Sequence, residues 1–159
     1  MSDEPSTILL CYDGSPQADH ATQVAAKLFP GSRAYVLHVW EPVERIIARY
    51  SVLAPFMGEE VGAVDADMEA EARRVAGAGV EMASAGGLDA EAHTAKLEST
   101  VWEAVLYAAE TLDVGVIITG TRSLHGLREV IANTLSHHLI QHSPRPVLAI
   151  PTPASDESS

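Results

Sequence analysis

Gly120-Thr-Arg-Ser-Leu-His-Gly126, with Asn133-Thr134 shortly after it, is the stretch whose residue types could do chemistry. It follows the apolar run Val116–Thr119 and precedes a helical pattern that has a Thr hydroxyl at its start. A glycine-bearing loop of this kind exposes backbone N–H groups, the helix end that follows is positive, and Arg122 adds a guanidinium. Together these are the parts of a cradle for a small anion. Asp13-Gly14-Ser15-Pro16 is the second such place. It closes an apolar strand, with Ser15 fitting an N-cap and Pro16 the first helical position.

Other constellations carry less. His138 and His142 share a helix face beside His137, yet no Glu lies between them in the HExxH manner and no Cys is near. They are expected to be surface or interface histidines, and no metal site is expected. His38 and His125 are weaker still as ligands. Ser15 lacks the Gly-x-Ser-x-Gly setting of a nucleophile elbow. No Walker A sequence, arginine finger or water-positioning residue is visible, and Asp13 has no evident Lys or carboxylate partner. No catalytic residue is expected, and any nucleotide hydrolysis would be slow and incidental. A phospho-acceptor receiver domain would need an acidic cluster after its first strand and a Lys after its fifth. The chain has Asp13 alone and Pro151 at those places. Cys11, the single cysteine, lies in an apolar strand and is expected to be a small core residue.

The chain of 159 residues carries a net charge of −12. That balance argues against a nucleic-acid partner and against an anionic lipid surface. The charge is uneven, however. Between Val114 and Pro153 stand Arg122, Arg128 and Arg145 against the single acid Glu129. A small anion fits that region better than the acidic helices elsewhere. No apolar run approaches the roughly 20 residues of a membrane span. No basic region precedes the first apolar stretch, so a signal peptide is not expected and the protein is expected to be cytoplasmic. Residues 1–6 and 153–159 are short, polar and expected to be disordered tails, leaving 7–152 as one domain.

Strand and helix signals alternate, which predicts an α/β domain with a mainly parallel sheet. Thr7–Asp13 is an apolar run of the kind buried on both faces, and a helix to about Phe29 follows it. Ala34–Trp40 is the second strand. Residues 41–62 show no clear period but are too apolar for a free linker, which suggests a lid, binding loop or partner surface. A helix over Val64–Ala85 presents Met68, Ala72, Val75, Gly79 and Met82, although Gly77 and Gly79 weaken it. Glu91–Leu97 is a short third strand, and Ser99–Leu112 a helix with Val101, Val105, Ala108 and Leu112 facing in. Val114–Thr119, a helix over Thr134–His142, and Pro146–Ile150 complete the set. Right-handed crossovers favour a Rossmann-like, doubly wound order of 3-2-1-4-5 with helices on both faces. The Asp13 and Gly120 loops then converge on the crevice between strands one and four.

On these residues the chain resembles the universal stress protein family, from Ile8-Leu-Leu-Cys-Tyr-Asp-Gly-Ser15 through Leu37-His-Val39 to His142-Ser-Pro-Arg-Pro-Val-Leu148. Gly120-x-Arg-x-x-x-Gly126-Leu belongs to the same pattern. The resemblance implies ATP in the crevice, with Mg²⁺ held by the phosphates. Asp13 would lie beside the nucleoside, Val39 would face the adenine through its backbone, Gly120 would admit the phosphates, and Thr134 would bond a terminal phosphate. Thr119, Arg122, Ser123, Gly126, Asn133 and Leu135 complete the implied site. Nucleotide-binding members carry Gly-x-x-Gly, nine residues, then Gly and a hydroxyl residue. Here Ser123 and Asn133 stand at the second and third glycine positions. Asn tolerates the left-handed region best after glycine, so the cradle would keep its shape while gaining bulk. Two readings follow: a nucleotide-binding stress-response module, or an interaction protein of the same fold that binds no nucleotide. The chain order also leaves Val147, Leu148, Ala149 and Ile150 as an unpaired apolar edge. Self-pairing across a twofold axis would cover it, and the resemblance points to such a homodimer.

Overall fold

The structure, a computed structural model, describes residues 6–49, 61–121 and 134–153. Five parallel strands form one sheet in the order β3-β2-β1-β4-β5. They are β1 (Ile8–Cys11), β2 (Arg33–Trp40), β3 (Asp89–Lys96), β4 (Val116–Thr121) and β5 (Val147–Pro151). The helices are α1 (Pro16–Leu28), α2 (Val43–Arg49), α3 (Val61–Ala85), α4 (Val101–Thr111) and α5 (Leu135–His142). Ile8 pairs with Ala34 on one side and Val116 on the other, and Ile117 with Val147. The expected order and winding are those observed.

Period-two alternation divides the core. Ile8, Leu10, Val36 and Ile118 face α1 and α3, while Leu9, Leu37 and Ile117 face α4 and α5. Strands buried on both faces must be apolar throughout, which is why β1 and β4 show no alternation in sequence. The two layers use different side chains. On the first, Ala18, Ala21, Ala25, Ala76 and Ala83 let the helices lie close. On the second, Val105 and Leu139 fill the space.

Gly79 belongs to the close-packed layer. A Cβ there would stand 2.7 Å from Val36 and 2.9 Å from the Tyr12 ring. Its low helix propensity is therefore the local cost of a contact that any side chain would prevent.

Several boundaries differ from expectation. Residues 43–49 are not irregular: α2 starts after Pro42, and α3 begins at Val61 rather than Val64. Residues 50–60 lie outside the described residues. α4 begins at Val101, two residues later than Ser99, because Thr100 is its N-cap. The Thr100 hydroxyl accepts from the Glu103 N–H at 3.3 Å, and the Glu103 carboxylate accepts from the Thr100 N–H at 3.2 Å. Hydroxyls of Ser99 and Thr100 hold the Glu103 carboxyl below its ordinary range. This capping box places Val101 on the first exposed turn instead of in the core, where it is 42% exposed. β4 runs on to Thr121, two residues beyond the expected end. The two expected disordered tails fall almost wholly outside the described residues.

Candidate functional site

The carboxyl ends of β1, β2 and β4 open into a crevice of about 310 Å³. β1 and the start of α1 contribute Cys11, Tyr12, Asp13, Ser15, Gln17 and Ala18 to its lining. Leu37, His38 and Val39 come from β2, Thr119 and Gly120 from β4, Val101 from α4 and Leu135 from α5. A topological switch between two adjacent strands leaves such a gap, since the chain leaves β1 and β4 toward opposite faces of the sheet.

Hydrogen bonds set the β1 side. Asp13 accepts from the Ser15 N–H at 2.9 Å, closing a turn in which Gly14 takes φ +78°. Ser15 then caps α1, its hydroxyl accepting from the Ala18 N–H at 3.2 Å, with Pro16 leading the helix. Tyr12 anchors the turn from beneath. Its N–H donates to the Leu37 carbonyl at 2.8 Å and its hydroxyl to Asp19 at 2.7 Å. Its own carbonyl lies 2.8 Å from His38 Nδ1. Burial, then the hydrogen bond and charge of Asp19, push the Tyr12 hydroxyl up to about 12. Burial chiefly, with the Asp13 charge second, pushes the Cys11 thiol up to about 12. Cys11 is thus held as the neutral thiol at ordinary pH, and it is partly buried at the crevice lining rather than enclosed in the core as expected.

The β4 side is set by steric fit. A Cβ on Gly120 would stand 2.5 Å from the Gln17 carbonyl oxygen and 3.3 Å from the Ala18 nitrogen. Gly120 is therefore needed for the approach of β4 to the start of α1, whatever occupies the crevice. Thr119 beside it is buried, its hydroxyl directed to the Gly120 carbonyl at 3.3 Å. Thr134 is the N-cap of α5. Its hydroxyl accepts from the His137 N–H at 3.3 Å and lies 3.1 Å from the Ser136 hydroxyl.

Of the candidate residues, the fold brings Asp13, Val39, Thr119, Gly120 and Leu135 to one crevice, and Thr134 directly precedes Leu135. Arg122, Ser123, Gly126 and Asn133 lie outside the described residues. The local positive balance needs correcting in one respect. Arg145 bonds the Val114 carbonyl and Asp113, at the amino end of β4, so it sits across the sheet from the crevice. His138 and His142 stack on Trp102 of α4, with ring centroids 5.8 and 4.7 Å from it. They serve helix packing, and among the described residues no three His, Cys, Asp or Glu groups converge as metal ligands.

Tyr12, Leu37, His38 and Val101 line the crevice, a place that the sequence did not predict for them. The Thr100-x-x-Glu103 signature was the legible signal for Val101. The roles of Tyr12 and His38 depend on a contact between strands that no local pattern announces.

The fold and the crevice define a small Rossmann-like α/β domain with a ligand-sized opening at its switch point. The universal stress protein family profile matches residues 5–151, and the chain belongs to that family. A universal stress protein of Thermus aquaticus is 30% identical over 146 residues, covering 91% of this chain and 97% of that protein. The fold is shared with a family protein from Burkholderia pseudomallei at a TM-score of 0.66 and 22% identity, covering 96% of this chain and 100% of that one. It is also shared with a universal stress protein from Archaeoglobus fulgidus in complex with dAMP, at a TM-score of 0.59 and 18% identity, covering 94% and 99%.

Proposed function

We propose that this protein is a nucleotide-binding regulatory module of the stress response, holding an adenine nucleotide in the crevice between the β1 and β4 loops. The observation that carries the reading is the crevice itself. It offers an apolar floor of Leu37 and Val39, the exposed carboxylate of Asp13 at its rim, and the amino end of α5 at its far side. An aromatic base suits the first, ribose hydroxyls the second, and phosphate the third. Besides the dAMP complex, solved family proteins are in complex with cAMP and, from Arabidopsis thaliana, with AMP. In this reading ATP is the ligand, its phosphates carry Mg²⁺, and occupancy alters contacts with protein partners without a catalytic step. The protein acts in the cytoplasm as a homodimer. β5, bordered among the described residues by β4 alone, pairs with its copy through Val147, Leu148, Ala149 and Ile150.

Mass spectrometry of the purified protein for co-purified nucleotide, combined with ATP titration calorimetry, tests the ligand. Retained adenine nucleotide or saturable binding is expected, and no binding at millimolar ATP would overturn the reading. Light scattering tests the dimer, with a monomer mass counting against it.

A second reading has its own support. Ser123 and Asn133 replace two glycines of the family's loop, and Gly120 has a packing reason that needs no ligand. A dimeric interaction protein of the same fold, with no nucleotide, accounts for all three. Glycine restored at positions 123 and 133 separates the two: tighter ATP binding supports the first reading.

A further inference from the structure

We infer that Arg45 is a positioning residue that fixes the separation of the crevice's two outer apolar walls, and through them its grip on a nucleoside. The walls are Val39, near the end of β2, and Val101, the first residue of α4. They belong to segments far apart in sequence. The chain leaves β2 through Pro42 into α2, and Arg45 reaches from α2 to the segment that leads into α4. There its guanidinium donates to the Glu98 carbonyl and, at 2.8 Å, to the Ser99 carbonyl. Those are the two residues before Thr100, the cap that starts α4.

Two adjacent carbonyls held by one planar fork fix both position and direction, which a single donor would not do. The Nε atom of Arg45 is buried and has no acceptor among the described residues. The inner edge of the guanidinium is thus packed against the protein at the cost of one unmet donor, while its two terminal nitrogens make their bonds at the exposed surface. The other end of the brace is equally tied. The Val43 N–H donates to Asp65 of α3 at 2.8 Å, and Lys96 at the end of β3 lies 3.6 Å from the same carboxylate. The Arg45 N–H itself donates to the Pro42 carbonyl at 3.0 Å. With α2 fixed from behind, a movement of its guanidinium becomes a movement of the Val101 wall.

The consequence for ligands rests on the nucleotide reading, and the test is arranged to keep the two apart. Arg45→Met keeps the aliphatic stem and removes the donors, while Arg45→Lys keeps the charge and one donor group. Hydrogen exchange of the Glu103–Val105 amides, measured without ligand, reports the brace alone. Calorimetry with adenosine and with ATP reports the crevice. Arg45→Met should speed exchange in that turn and weaken adenosine and ATP by the same factor, about tenfold. Arg45→Lys should recover part of both losses.

Unchanged exchange in the Met variant would overturn the brace. Faster exchange with both affinities unchanged would overturn the positioning role, as would a loss confined to ATP. If the Met variant does not fold, the Lys variant decides, since wild-type values for both measurements would refute the role of the paired donors. Wild-type protein that binds neither adenosine nor ATP would defeat the nucleotide reading, and the exchange comparison would then judge the brace by itself.

Discussion

The two loops that meet at the crevice are positioned by different forces, and this separates their mutational behaviour. At the end of β1, side chains do the work: Asp13 closes a turn, Ser15 caps a helix, and Tyr12 ties the strand to α1. At the end of β4, the absence of a side chain does it, because Gly120 lets the strand come within contact of the α1 backbone. A hydrogen-bonded turn can lose one bond and relax. A backbone approach has no partial solution, since the opposing atoms belong to the first turn of a packed helix. The β1 side should therefore yield graded effects and the β4 side abrupt ones.

The largest effect expected is from Gly120→Val. The added side chain would have to displace Gln17 and Ala18, and overpacking against backbone costs about 3 kcal/mol or more. Chemical denaturation should show a large loss of stability even without ligand, so lost ATP binding in this variant says nothing about phosphate contact. A variant with wild-type stability would remove the contrast between the β1 and β4 sides. Next in size is Ser15→Ala, which deletes the α1 cap and should cost about 1 kcal/mol by the same measurement. Thr134→Ala should cost a similar amount at α5, whose cap it deletes. Thr134→Asn, another good cap, should retain stability. If Thr134→Asn also retains ATP affinity, the Thr134 hydroxyl is a cap and not a phosphate ligand.

Most of this architecture was legible because its signals are local. The Ser15-Pro16 helix start, the two-faced apolar strands β1 and β4, and the alternation of strands with helices follow from propensity and burial over a few residues. What was illegible is tertiary. Gly79 looked like a weak point in α3 until the Tyr12 ring and Val36 were found against it. Arg145 counted toward a positive C-terminal third, yet charge summed along the chain ignores that the two ends of a strand face opposite sides of the molecule. α2 was missed because a seven-residue helix is too short to display a period. The start of α4 was misplaced by preferring Ser99 over Thr100, where the Glu three residues on decides between them.

Tyr12 gives a smaller, pH-dependent test of the β1 side. Its hydroxyl titrates at about 12 in the fold against 10.0 in an ordinary setting. The raised value means that the neutral form is favoured by folding. Its contribution is therefore fully present below pH 10 and is lost as pH rises toward 12. Wild-type protein should lose stability more steeply than Tyr12→Phe across that window. Parallel curves would mean that neither burial nor the Asp19 contact disfavours the ionised hydroxyl.

The smallest effect on stability should come from Asp13→Asn, and it is the most informative about function. The side-chain carbonyl of Asn can accept from the Ser15 N–H as the carboxylate does, so the turn survives and stability should move by no more than about 0.5 kcal/mol. Removing the charge also removes the lesser of the two causes that raise the Cys11 thiol, and burial, the greater, remains. Cys11 should accordingly stay unreactive toward alkylating reagents near neutral pH, which verifies that the β1 end has not opened. Against that unchanged background, a loss of adenosine affinity can only reflect what the carboxylate does for a ligand. Asp13 thus allows the separation of fold from binding that Gly120 forbids. An Asp13→Asn protein that is stable, closed and undiminished in adenosine affinity would leave the carboxylate with no role beyond its turn.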